Sequence, residues 1–242
     1  MIDSGQLMER FRHLSRDIQN ELQNAQKYLD RIKKNSQGSS DLTGLDNSLL
    51  GIVDAWQDYA GWILLSTLDD IEEAKANCAP GLINLKSKIF RTKNRMKNQI
   101  ATKGIKIDLN YQRELNFETY IPYLEQLLDL IISNAVKYSP NSGTVDIVFS
   151  QDSGIIKIII QSIGPTVHKH ETERLGDKGF RSESARKMSV TGQGYGLYNV
   201  KRLCALIGGS VQFRPDSKVL CHNEKNIPYS SFTVAINLPE TP

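Results

Sequence analysis

Apolar residues in the first third of the chain recur at alternating steps of four and three. Within residues 5–34 they fall at Leu7, Phe11, Leu14, Ile18, Ala25, Tyr28 and Ile32. This heptad seam is interrupted only near Glu21 and predicts one amphipathic helix. The polar stretch SQGSSDLTG at 36–44 predicts a loop. A second stripe of Leu50, Val53, Trp56, Ala60, Ile63, Ile71 and Ala74, with Thr67 as its one polar member, predicts a second helix. Two helices joined by a short loop form an antiparallel hairpin. One hairpin has too little core to stand alone, so pairing with another into a four-helix bundle is expected. Residues 1–77 are therefore read as a hairpin dimerisation domain and the protein as a homodimer. The alternative is that both stripes pack on the C-terminal part of the chain.

Cys78-Ala-Pro-Gly81 breaks this pattern and marks the expected boundary, leaving 78–242 as a second domain. Residues 82–103 predict one basic helix carrying Lys86, Lys88, Arg91, Lys93, Arg95 and Lys97 with no acid. The pattern then alternates. Residues 105–111 predict a strand, and 119–137 a helix with Tyr123, Leu127, Ile131 and Ile132 inward. Residues 144–150 and 154–161 predict a strand pair around Asp152-Ser153-Gly154. A helix near 195–208 and strands near 210–214 and 231–238 follow. Helices and mostly antiparallel strands in this order predict an α+β chain whose second domain is an α/β sandwich, with helices layered on one sheet face.

Composition narrows the partners. A net charge of +3 over 242 residues does not argue for nucleic acid. The basic helix could face an anionic partner, but acids at Asp69, Asp70, Glu72 and Glu73 lie close in sequence, so a solvated face is the simpler reading and no nucleic acid is expected. Three widely spaced cysteines, Cys78, Cys204 and Cys221, offer neither a zinc spacing nor a disulfide framework. The charged N-terminus has no apolar core of a signal peptide, and no apolar run is long enough to span a bilayer. A cytoplasmic protein with no membrane segment in this chain is expected.

Two segments carry candidate chemistry. In IISNAVKYSP (131–140), Asn134 sits near the end of an apolar helix, where a buried amide needs partners. Its oxygen is of the type that ligates Mg²⁺. Lys137 follows one turn later on the same face, where it can neutralise phosphate. Taken alone, Asn134 could equally cap a turn before Ser139-Pro140. In TGQGYGLYNVKRL (191–203), Gly192, Gly194 and Gly196 open directly into a helix. Glycines let backbone N–H groups approach phosphate, and a helix N-terminus adds partial positive charge. His168 and His170 form a weak H-x-H pattern in an irregular stretch.

Together the two segments resemble the histidine kinase branch of the GHKL, or Bergerat-fold, ATPases, which also include gyrase, a heat-shock chaperone and MutL. Asn134, Lys137 and Tyr138 match the N-box. Gly179-Phe180-Arg181-Ser182 matches the F-box, and Gly192-Gln193-Gly194-Tyr195-Gly196-Leu197 the second glycine box. Gly208-Gly209 matches the glycine pair before the next strand. The resemblance covers roughly 80–242 and, more weakly, the hairpin. It implies that ATP and Mg²⁺ are the cofactors, with Asn134 holding Mg²⁺ and Lys137 meeting phosphate. Residues 165–191 would form an ATP lid containing Phe180 and Arg181.

The departures are as specific. The family's first glycine box, Asp-x-Gly-x-Gly, stands here as Ser162-Ile163-Gly164-Pro165-Thr166. Gly164 is kept, but the adenine-binding acid is Ser162, which implies weakened or purine-tolerant binding. Leu130 stands where such kinases have a second Asn and the related ATPases a general-base Glu, so ATP hydrolysis by that route is not expected. In the first helix, Leu14-Ser15-Arg16-Asp17-Ile18 resembles the phosphoacceptor box with Asp17 as its acid. The nucleophile position is Arg16, a permanently protonated guanidinium. His13, one turn away, is the remaining candidate nucleophile.

The expectation is a histidine-kinase-like signalling protein that binds Mg–ATP, as a degenerate kinase acting as a scaffold or phosphotransfer partner. The alternatives are an active ATP-dependent protein histidine kinase using His13 and a nucleotide-gated regulator of the anti-sigma type. A response regulator is the partner that the resemblance implies.

Overall fold

The computed structural model describes residues 70–188 and 194–241, with Arg16, Gln19, Leu22, Gln23, Gln26, Leu64, Leu65 and Leu68. The two heptad stripes as continuous helices, His13, Asp17 and Gly192 lie outside the described residues. The chain divides into two compact units, Met1–Cys78 and Ala79–Pro242. In the first, Arg16, Gln19, Leu22, Gln23 and Gln26 are helical and Arg16 is exposed. Its last helix, α1 (Ile71–Ala76), starts at Asp70, whose carboxylate accepts from the Glu73 N–H at 3.0 Å.

The second unit opens on a strand where a helix was expected. β1 (Gly81–Asn84) pairs with β3 (Asn116–Thr119), Leu82 opposite Glu118 and Ile83 opposite Phe117. Helix α2 (Leu85–Arg95) begins only at Asn84, whose side chain accepts from the Ser87 N–H at 2.9 Å. A break at Met96 then separates it from α3 (Lys97–Lys103). The expected single helix over 82–103 is thus corrected to a strand and two helices. The N-cap asparagine sets the start, and Asn94 and Asn98, poor helix formers, flank the break.

The basic residues of α2 have partners, but not those expected. Lys86 pairs with Glu114 at 2.9 Å, Lys88 with Glu125 at 2.5 Å, and Arg95 with Asp129. These acids lie before β3 and on α4 (Ile121–Tyr138), brought in by the packing of α2 on α4, not by sequence proximity. Thr92 also donates to Asp129 at 2.7 Å. Burial nevertheless raises the Asp129 carboxyl above its usual range, with the Arg95 charge opposing it.

A five-stranded sheet follows, in the order β2–β4–β5–β7–β6. β2 (Lys106–Tyr111) runs parallel to β4 (Thr144–Asp152), and the other neighbours are antiparallel. β4 turns into β5 (Ile155–Pro165) through Ser153 and Gly154, both at positive φ (51° and 76°). That is the mirror-image turn whose twist matches a tight hairpin. Alternate residues Ile156, Ile158 and Ile160 of β5 are buried. Helices α4 and α6 (Gly196–Leu206) pack on each other, with Tyr123, Leu127, Leu128, Ile131 and Ile132 of α4 buried. On the opposite sheet face, the cross-strand neighbours Val148 and Ile159 stay 40% and 39% exposed. This period-two alternation is that of a sheet covered on one side. β6 (Ser210–His222) and β7 (Pro228–Pro239) are longer than their periodicity predicts: β6 runs on beyond Pro215 as exposed residues, whereas the added start of β7 carries the buried Tyr229 and Ser230. The expected α/β sandwich is present in this unit.

Candidate functional site

The site begins at the end of α4. This helix starts on Ile121-Pro122, where proline's missing N–H costs nothing. Its C-terminus is held from outside. The Lys103 ammonium, at the end of α3, donates to the carbonyls of Val136, Lys137 and Ser139 at 2.8, 2.9 and 2.6 Å. Those carbonyls have no partner within the helix, so Lys103 fixes the turn that carries Lys137 and Tyr138. Burial lowers the Lys103 pKa. Nothing local in the sequence distinguishes Lys103 from the other lysines around it, so its capping role is visible only in the fold.

Asn134 lies inside α4 and caps no turn; the helix runs on to Tyr138, and Ser139 is its C-cap. Its amide rests against the first residue of α6. A Cβ placed on Gly196 would lie 2.8 Å from Asn134 Nδ2. Gly194 is held at φ 79°, where a Cβ would lie 2.6 Å from the Gly179 carbonyl carbon and 2.7 Å from the Phe180 oxygen. Both contacts are to backbone, so no side chain fits there. The glycine box and the F-box therefore meet through main chain. Helix α6 has no side-chain cap at Tyr195.

Residues 168–183 are folded around a buried acid. Glu171, 5% exposed, lies in a 3-10 turn (Lys169–Arg174). Its carboxylate accepts from the His168 N–H at 3.0 Å and from the Glu183 N–H at 2.8 Å. The second bond reaches the first turn of α5 (Glu183–Lys187), just after Phe180-Arg181-Ser182. The Arg174 guanidinium lies 4.5 Å from the Phe180 ring centre. The Arg181 guanidinium donates to the Ala185 carbonyl at 2.6 Å. His168 and His170 are exposed, with parallel rings 5.7 Å apart.

These pieces enclose a cavity of about 450 Å³, within the usual range for a small-molecule site. It gathers Asn134, Lys137 and Tyr138 from α4, and Ser162 and Gly164 from β5. Phe180 and Arg181 come from the intervening segment, and Gly194, Gly196 and Leu197 from the start of α6. Of the expected site residues, ten converge here. Among the described lining residues the charged ones are Lys137 and Arg181, both cationic, and none is a carboxylate. Burial, and then the Arg181 charge, lowers the Lys137 pKa. Leu130 lines the cavity, and so do Phe232 and Val234 of β7, which no motif in the sequence marks. Thr166 is buried, its N–H bonded to the Pro228 carbonyl at 2.8 Å. Among the described residues no group of three His, Cys, Asp or Glu side chains converges as a metal site.

Residues 120–241 match the model of the histidine kinase-, DNA gyrase B- and HSP90-like ATPase family. The chain belongs to that family. Its relatives place it on the histidine kinase branch. Over 101 residues it is 33% identical to the sensor histidine kinase WalK of Bacillus subtilis, covering 41% of this chain and 16% of WalK. The chain spans about a third or less of the first curated relatives it matches. Among solved structures, the mycobacterial sensor histidine kinase MprB is similar in fold, with a TM-score of 0.54 and 21% identity. That match covers 68% of this chain and 99% of MprB's. Histidine kinase ThkA in complex with the response regulator TrrA gives a TM-score of 0.54 at 15% identity, over 98% of this chain and 62% of that one. Among the described residues of this ATPase-family chain, no helix is long and apolar enough to cross a membrane.

Proposed function

We propose that this chain is a histidine-kinase-like signalling protein whose second unit binds Mg–ATP, and that it acts as a degenerate kinase, either as a scaffold or as a phosphotransfer partner. The observation that carries this reading is the cavity itself. Its charged walls are Lys137 and Arg181, and its glycines at 194 and 196 leave backbone where a phosphate chain needs close approach. The donor set suits a metal that arrives with its nucleotide. Asn134 supplies one amide oxygen, and Mg²⁺ commonly completes its shell with phosphate oxygens and water. When bound, Mg²⁺ would neutralise phosphate charge beside Lys137.

Two features support the degenerate form. Arg16, helical and exposed, stands where the phosphoacceptor box needs an imidazole. Leu130 and the other described lining residues supply no carboxylate base inside the cavity. We further propose that residues 1–77 form a hairpin that pairs with a second copy, leaving 78–242 to bind nucleotide, and that the protein works in the cytoplasm. The ThkA–TrrA complex makes a response regulator the natural partner to test.

Isothermal titration with a non-hydrolysable ATP analogue and Mg²⁺ tests the central claim. Binding should be present in the unaltered protein and lost in Gly194→Val, whose side chain would strike the Gly179 and Phe180 backbone. No heat up to millimolar ligand would end the reading. Light scattering at about twice the 27.2 kDa chain mass tests the dimer.

A further inference from the structure

Ser162 is the one polar side chain that β5 and β7 bring to the cavity wall. Its companions there are Ile160, Gly164, Pro165, Phe232 and Val234. It stands directly opposite Phe232 in the β5–β7 ladder. The residue is 8% exposed, and its hydroxyl makes no hydrogen bond to any described residue. The two charged lining residues, Lys137 and Arg181, belong to α4 and to the segment after β5, so the sheet wall carries no charge of its own. A flat heterocycle is the ligand that such a wall suits: an aromatic face, aliphatic neighbours and a single hydrogen-bonding group.

That group is chemically two-sided. A hydroxyl has one donor and two acceptor lone pairs, and it rotates to suit its partner. It accepts from an exocyclic amino group and donates equally well to an exocyclic oxygen. A carboxylate in the same place would only accept. Because no described protein group fixes the direction of the Ser162 hydroxyl, the wall has no built-in preference between the two. We infer that Ser162 makes the base subsite permissive, so that the site takes 6-oxopurine nucleoside triphosphates as well as ATP. This rests on the reading of the cavity as a nucleotide site and adds which nucleotides it admits.

Titration of the full chain with ATP and with inosine triphosphate, each with Mg²⁺, tests it, because the two bases differ only at C6 and the adjoining N1. The unaltered protein should bind both with dissociation constants within about tenfold of each other. In Ser162→Asp the ratio should move at least about tenfold in favour of ATP, since a carboxylate has no proton for the purine oxygen. In Ser162→Ala both should weaken to a similar extent. A ratio beyond tenfold in the unaltered protein overturns the inference while leaving ATP binding intact. An unchanged ratio in a folded Ser162→Asp, or unchanged affinities in Ser162→Ala, does the same. Failure of both nucleotides to bind the unaltered protein overturns the nucleotide reading and this inference together.

Discussion

The Asn134 amide sits against Gly196, so closely that a single methyl group at residue 196 would lie 2.8 Å from its nitrogen. One residue belongs to α4 and the other opens α6, and the two helices pack on each other. The proposed metal ligand is therefore positioned by the absence of a side chain on the neighbouring helix.

Gly196→Ala tests that dependence. The added methyl must displace the amide, because a Cβ does not fit at 2.8 Å. Alanine is also the better helix former, so thermal stability should change little. Affinity for the ATP analogue should fall by about tenfold with Mg²⁺ present and much less in EDTA, since one metal–oxygen contact is misplaced. Equal losses in both conditions would remove Asn134 from the role of metal ligand.

Glu171 holds the segment after β5 through the His168 and Glu183 N–H groups. Hydrogen bonds to a charged acceptor contribute roughly 1.5–3 kcal/mol each. Glu171→Ala should therefore speed amide exchange at residues 168 and 183 by about tenfold or more, while the sheet amides stay protected. Uniform loss of protection across the sheet would mean that Glu171 supports the whole unit and not this segment.

Asp129 gives a pH signature. Its folded-state pKa is raised above the ordinary value of 3.8 because burial outweighs the attraction of Arg95. The folded state then holds the proton more tightly than the unfolded state. The stabilisation from this group is complete below pH 3.8 and is lost as pH rises through the folded value. In urea unfolding at a series of pH values, the stability of the unaltered protein relative to Asp129→Asn should fall as pH rises above that point. A difference that is flat or rises across this window would reverse the assignment.

Autophosphorylation should be weak. Phosphoryl transfer depends on positioning, and His13 precedes Arg16 by three residues, a separation of roughly 4.5 Å along the axis of any helix that includes both. Incubation with γ-labelled ATP should leave little acid-labile label on the unaltered chain and more on Arg16→His. Strong label abolished by His13→Gln would make the protein an active kinase with a shifted acceptor.

The elements were largely legible because periodicity is a local property. The buried face of α4, the alternation along β5 and the Ser153-Gly154 turn are each written within a few residues of themselves. Asn134 with Lys137, and the glycines at 194 and 196, were legible for a related reason: an amide within an apolar helix and close backbone approach each demand particular residue types, whereas 179–182 was legible only through its resemblance to the family. The start of α2 was not legible, because Leu82 and Ile83 take their strand form from Glu118 and Phe117, more than thirty residues away. Nor were Lys103, whose role exists only where α3 meets the end of α4, and Phe232, which becomes part of the site by standing across from Ser162. The residue types that the chemistry needs are a property of the chain. Which lysine caps a helix, which acids pair with α2 and which ring faces the base subsite were decided only by packing, because each needs two segments that sequence distance keeps apart.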